Sequence, residues 1–425
     1  MEEILCHLKG GGEMIRYMTL GDVCTDIIDC PHESPDWKSE GVAVIRNFNL
    51  VNGRIDMTEG YYVDEETYKK RTRRAVPSAG DIIFSREAPI GNCAIVPENF
   101  ECCLGQRLVL LRVNHKMCSS EYLLTVLQSS YVLKQIEQVS KLGSIVSNFA
   151  IGDLHKLIIP ILDNQDTVAT FSTTISEKIA NNNEIVSLLE KQAKLLYDYW
   201  FVQFDFPDEN GRPYKSSGGK MVWNEELKRE IPEGWGVKHL SDIAGLQQNA
   251  IFPTEGVEYN HYSIPAFDES KMPSLEDGGD IASNKYVVPN GSILVSKLNP
   301  QFKRIWLVLD PSNNAICSTE FLPVKAMDVG IYYLYSLLNT DAFSVHLKQK
   351  ASSSTGSRKR IDPENVMSFP FAYNKRVARL FNEKTASLIQ QTNQIPIENQ
   401  QLASLRDFLL PMLMNGQVKV GKAGE

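Results

Sequence analysis

Hydrophobic positions repeat most regularly between Gln165 and Phe201, a stretch of 37 residues without Pro or Gly. Steps of four and three from Val168 reach Ser172, Ile175, Ile179, Asn182, Val186, Leu189, Ala193, Leu196 and Trp200, and eight of these ten positions are apolar. That spacing is the seam of a coiled-coil helix. At about 1.5 Å per residue the helix would be roughly 55 Å long, which suits a spacer better than an ordinary globular helix. The pattern recurs from Lys375 to Met414, where Val377, Phe381, Leu388, Ile395, Leu402, Leu405 and Leu409 hold seven of ten seam positions. Pro396 is expected to kink or split this second helix. Asn182 and Gln391 share one repeat position. Polar seam residues fix register, so the pair predicts that the helices face each other there; the alternative is that both are solvated.

Shorter patterns repeat as well. Thr19-Leu20-Gly21-Asp22-Val23 resembles His239-Leu240-Ser241-Asp242-Ile243, and Gly80-Asp81-Ile82-Ile83-Phe84-Ser85-Arg86 resembles Gly291-Ser292-Ile293-Leu294-Val295-Ser296-Lys297. Leu142-Gly143-Ser144 matches Thr355-Gly356-Ser357, and Ile158-Ile159-Pro160 matches Ser368-Phe369-Pro370. One unit is therefore written twice, a mixed domain followed by a long helix, and such a duplication packs as a pseudo-dimer about a two-fold axis. Apolar runs at 42–45, 81–84, 108–111, 292–295 and 306–309, bounded by Gly, Pro and Asn, predict strands. Amphipathic helices are expected over 120–138, with Ser120 as N-cap, and over 331–350.

The fold class is thus α+β: two similar mixed domains, each followed by a long helix, the helices packed on each other as a coiled coil. Expected boundaries are an N-terminal extension at 1–13, a first domain at 14–162, its helix at 163–203, a linker at 204–235, a second domain at 236–372, its helix at 373–416 and a tail at 417–425. The linker assignment rests on the Pro, Gly and Ser content of its sequence.

Composition narrows the class. Neither an apolar run of membrane-spanning length nor a signal-peptide layout is present. The eight Cys are scattered without CxxC or zinc spacing, and a cytoplasmic location is the default. The net charge of −8 opposes nucleic-acid binding by the whole surface but not by local basic patches.

Phosphate-loop, HExxH and GxSxG motifs are absent. Asn299-Pro300-Gln301-Phe302 lacks the second Pro of a base-holding methyltransferase loop and reads as a turn. No catalytic or metal-ligating residue is assigned. The candidate nucleic-acid contacts are basic or small and polar. Lys69, Lys70, Arg71, Arg73 and Arg74 form one run, for which a solvated charged loop is an equal alternative. Ser354, Thr355, Gly356, Ser357, Arg358, Lys359 and Arg360 form a second, and its repeat counterpart holds Lys141, Gly143, Ser144, Ser147 and Asn148. Gly and Ser let backbone N–H groups approach phosphates, while Arg and Lys neutralise them or read guanine edges. Arg86 and Lys297 share a repeat position, where contact and packing are both open.

These features together resemble the DNA-specificity subunit of type I restriction–modification systems. The resemblance runs from about Met18 to Gly416 and includes the helix end Leu195-Leu196-Tyr197-Asp198-Tyr199-Trp200-Phe201 and the domain entry Ile231-Pro232-Glu233-Gly234-Trp235. It implies a non-catalytic chain whose two domains each read half of a bipartite, asymmetric site in double-stranded DNA. The helices would pack as an antiparallel coiled coil, set the gap and dock two modification subunits, joined by restriction subunits. It implies no cofactor in this chain; S-adenosylmethionine, ATP and magnesium would belong to the partners. A methyltransferase-only assembly and a protein scaffold that binds no DNA are the alternatives.

Overall fold

The computed structural model describes residues 15–87, 89–140, 149–353, 359–415 and 417–418. It divides into two compact units, one formed by the chain up to Ala180 with the segment from Gln400 onward, the other by Asn181–Asn399.

In the first unit, four antiparallel strands lie in the order Cys24–Asp29, Leu108–Val113, Ile82–Ser85, Cys93–Ile95. Side chains alternate between the faces of such a sheet. Ile82, Phe84, Val109 and Leu111 meet Tyr122, Leu123 and Val126 of a helix on one side. Ile83, Leu108 and Leu110 meet Ala43, Ile45 and Cys102 of a small second sheet on the other. Burial on both faces explains why these strands read as continuous apolar runs. The second unit repeats the plan with Ala244–Leu246, Phe321–Ala326, Ser292–Ser296 and Ile305–Val308. Its second sheet has five strands where the first unit's has three.

Matching hydrogen bonds confirm the duplication. Leu20 N donates to Leu157 O (2.8 Å) and Leu240 N to Phe369 O (3.0 Å). The carboxylate of Asp22 caps Thr19 N (3.0 Å) as that of Asp242 caps His239 N (2.8 Å). Tyr122 and Tyr333 fill equivalent, fully buried positions.

Each helix expected between strands and spacer is in fact two. The first unit has Ser120–Leu127 and Ser130–Ser140; the second has Ile331–Leu338 and Asp341–Lys350. Hydroxyl residues make the break. Thr340 Oγ1 donates to Leu337 O (2.8 Å) and accepts from Phe343 N (3.2 Å), ending one helix and capping the next. The N-cap of the first is Ser119, whose Oγ accepts from Tyr122 N (3.1 Å); Ser120 is already helical.

The long helices span Gln165–Tyr197, followed by a π-helical turn at Asp198–Val202, and Lys375–Met414. In the first unit Val168 and Ala169 share a core with Leu410, Leu413 and Met414. In the second, Tyr197, Trp200 and Phe201 pack on Phe381 (ring centroids 5.6, 5.7 and 5.3 Å). The start of one helix thus meets the end of the other, so the pair is antiparallel. All ten predicted seam positions of the first helix are buried or half-buried. The second seam drifts: Leu405 is exposed, while Thr385 and Leu410 are buried. A strict 3.5-residue count departs from a 3.6-residue helix over this length.

Two expectations for the second helix change. It is not split at Pro396 but runs on through it. Gln391 does not face Asn182. It is exposed and donates to Ser387 Oγ of its own helix (3.2 Å). Asn182 is 2% exposed, and its Nδ2 donates to Asn399 Oδ1 (2.7 Å); Asn399 Nδ2 donates to Asn183 Oδ1 (2.8 Å). Facing residues of an antiparallel pair count in opposite directions. A shared repeat position therefore does not make two residues neighbours, and the partner lies about two turns further on.

The segment 204–235 is folded, not a loose connection. It forms a hairpin, Met221–Asn224 with Arg229–Pro232, and buries Phe204, Phe206, Ile231 and Trp235 in the second unit's core. The Asp205 carboxylate accepts from Ser216 N (2.7 Å) and Oγ (2.6 Å), fixing the Gly-Ser stretch. Its Gly and Ser residues form tight turns just before the hairpin, with Ser217 N donating to Pro213 O (3.0 Å) and Gly219 N to Tyr214 O (2.8 Å).

Candidate nucleic-acid interface

The first basic run lies at the end of a helix, Glu65–Arg71, capped by Asp64 Oδ1 on Thr67 N (2.9 Å). Lys69 and Lys70 are exposed and pair with Glu65 (3.2 Å) and Glu33 (3.1 Å). Such surface pairs contribute at most about 1 kcal/mol and exchange readily for a phosphate. Arg73 and Arg74 are exposed. Arg71 departs from expectation. It is 8% exposed, and its guanidinium donates to Leu104 O (3.1 and 2.7 Å), Glu33 O (2.8 Å) and Pro31 O (3.3 Å). It shares the helix's buried face with Tyr68, three residues earlier, and holds the fold together.

Arg86 is also buried. It pairs with Asp29 (2.8 Å) and donates from Nε to Phe149 O (2.8 Å). Lys297 occupies the same backbone position and is half-buried. Phe149 N donates to Arg86 O (2.9 Å) as Ile361 N does to Lys297 O (3.1 Å). Packing thus claims Arg86, while Lys297 keeps partial access to solvent.

Lys359 and Arg360 are exposed in a short strand paired with Ser352–Ser353. Asn299 N donates to Lys359 O (2.8 Å), and Lys359 N donates back to Asn299 Oδ1 (3.2 Å). The Asn299–Phe302 segment closes as a turn, Phe302 N to Asn299 O (2.9 Å), with Phe302 exposed at its tip. Lys141, Gly143, Ser144, Ser147, Asn148, Ser354, Thr355, Gly356, Ser357 and Arg358 lie outside the described residues.

A second cluster in the first unit is invisible to a search for charge runs. The Arg46 guanidinium lies over the rings of Tyr61 (4.7 Å), Phe48 (4.9 Å) and Trp37 (5.6 Å). Gln106 and Arg107 stand beside it around a small cavity. The one local signal is Gly105, whose missing Cβ permits a close approach to Ile45 O.

The buried cysteines are not activated for covalent chemistry. Burial pushes the thiols of Cys24, Cys93, Cys102, Cys118 and Cys317 up to about 12. Thiols so raised are poor nucleophiles. Among the described residues no group of three or more His, Cys, Asp or Glu is placed to hold a metal ion, and no helix is long and apolar enough to cross a membrane.

Residues 13–191 match the family model described as the type I restriction modification DNA specificity domain. The first part of the chain is thus similar to that domain. The matched region is the first copy of the duplicated unit, and the second copy repeats its sheet order and hydrogen bonds. The type I restriction enzyme MjaIX specificity subunit of Methanocaldococcus jannaschii is 25% identical over 381 residues, covering 84% of this chain and 82% of the relative. The HindI specificity subunit of Haemophilus influenzae is 21% identical over 411 residues, covering 80% and 86%. The fold is also that of the type I restriction–modification S subunit from M. genitalium. That structure matches with a TM-score of 0.55 at 16% identity over 95% of this chain and 97% of its own.

Proposed function

We propose that the chain is the non-catalytic recognition subunit of a type I restriction–modification assembly in a prokaryotic cytoplasm. Each unit reads one half of a bipartite DNA site. The antiparallel helices set the spacing and dock modification and restriction subunits, which carry S-adenosylmethionine, ATP and magnesium. The observation that carries this reading is the duplication of a specificity domain on an antiparallel helix pair, two readers in one chain. Ile185, Leu188 and Leu195 support the docking role. They are 43%, 57% and 59% exposed on the first helix, off its seam, and apolar helix residues left exposed suit a partner helix.

The test is salt-dependent binding of the assembled complex to duplexes bearing its site. The affinity should fall steeply with salt, and replacing Arg358, Lys359 and Arg360 by Ala should reduce the log–log slope by about 0.9 for each phosphate no longer neutralised. A complex that binds duplex without a salt slope, or a triple variant with the wild-type slope, would contradict the respective part of this reading.

A further inference from the structure

The Arg46 cluster has the features of a base-reading site. Strands Val42–Ile45 and Cys102–Leu104 run parallel, with Ile45 opposite Leu104. The segments that follow them therefore leave the sheet at the same end, which brings Arg46-Asn47 beside Gln106-Arg107. Gly105 makes the approach possible. Its N donates to Ile45 O (2.7 Å), and a Cβ there would lie 2.7 Å from that oxygen. Arg107 follows with φ of 72°, a left-handed conformation that costs a residue bearing a Cβ. Backbone strain of this kind gathers at functional sites.

The groups held there are of one chemical kind. A cavity of about 160 Å³ lies between Trp37, Arg46, Asn47, Gln106 and Arg107, and none of the described residues lining it is acidic. In a chain of net charge −8, two guanidinium groups around one acid-free cavity are a local exception. Three rings fix the Arg46 guanidinium in position. Arg107 is half-exposed, its Nε paired with Glu87 (2.9 Å). Gln106 is oriented by donating to His32 O and to Ser34 Oγ (3.2 Å). Trp37 and Phe48 stand exposed at the rim.

We infer that Arg46, Asn47, Gln106 and Arg107 form the base-reading site of the first unit, with Arg107 donating to a guanine edge. Arginine forks match guanine O6 and N7, while Gln106, with both amide N–H groups held by His32 O and Ser34 Oγ, offers its carbonyl oxygen as an acceptor. The aromatic rim offers faces on which a distorted base step can rest. The exposed lysines at 69 and 70 serve the phosphates instead, adding affinity without sequence information. This inference rests on the proposed recognition of duplex DNA.

The experiment measures base preference of the assembled complex, by selection from randomised duplexes and by affinity for duplexes changed one base pair at a time. Arg107→Ala should flatten the preference at one base pair of one half-site by roughly tenfold to a hundredfold and leave the other half-site unchanged. Arg107→Lys, which keeps the charge but loses the fork, should do the same while retaining affinity for unrelated duplex. It also serves should the Ala variant fail to fold. Lys69→Ala with Lys70→Ala should weaken all sequences alike. Both Arg107 variants folded with every base preference intact, or with only a uniform loss of affinity, would overturn the inference while leaving the proposed function standing. A wild-type complex without sequence preference on duplex DNA would overturn both.

Discussion

Arg71→Ala is expected to destabilise the first unit by about 3 kcal/mol without changing the salt slope of DNA binding. Removing the side chain strips the Leu104 carbonyl of two charged donors and those of Glu33 and Pro31 of one each. A hydrogen bond from a charged group contributes about 1.5–3 kcal/mol, and a buried acceptor left unpaired costs a further ~1–3 kcal/mol. Relaxation and water entry at the exposed Glu33 end offset part of that sum. For a domain of this size the melting temperature should fall by roughly 6–12 °C. Lys70→Ala is the control, since it removes only an exposed ion pair with Glu33 and should shift stability by less than about 1 kcal/mol. An Arg71 variant of unchanged melting temperature but weakened DNA binding would return the residue to the contact surface.

The second large effect concerns the helices. Inserting four residues after Asn182 in the first helix alone turns everything beyond by about 40°. Val186, Leu189, Ala193 and Leu196, the half-buried or buried seam beyond Asn182, would leave their partners. The chain should then lose its cooperative unfolding and its assembly with partner subunits. Seven residues inserted in both helices, after Asn182 and before Asn399, preserve a 3.5-residue seam. That variant should fold, and the added rise of about 10 Å should widen the recognised gap by about three base pairs. Light scattering and mapping of the bound site check the two outcomes. A single-helix insertion that folds and assembles normally would show that the seam does not set the register. A paired insertion with an unchanged gap would show that the helices do not set the spacing.

These cases mark what the sequence can convey. The seam from Val168 to Trp200 is legible because burial along a helix repeats with the helix, and the duplication is legible because two copies retain turns such as Thr19–Val23 and His239–Ile243. Orientation within the pair is harder. Asn182 stands out as a polar seam residue, but its partner Asn399 follows from antiparallel counting, which a comparison of repeats cannot supply. Charge runs mislead in a related way. Lys69, Lys70 and Arg71 look alike in sequence, yet one helix turn puts two in solvent and the third beneath the surface beside Tyr68. Tyr68 is the available signal, an aromatic three residues before the arginine on the same helical face. Arg46 and Arg107 carry no signal as single cations. They meet only because two strands distant in sequence run parallel, with a glycine where the chains touch. The Gly and Ser of 204–235 suggest a loose connection because composition alone does not distinguish a linker from the tight turns of a folded segment.

The central claim is that two separate readers act through one chain, and it is tested most directly by the modified sequence in DNA from cells expressing the assembly. The wild-type chain should give a split motif with adenine methylation on both strands. Exchanging residues 18–160 for the corresponding domain of a type I specificity subunit should replace one half of that motif and leave the other half intact. An unsplit motif, or a change in both halves on exchange of the first domain alone, would contradict it.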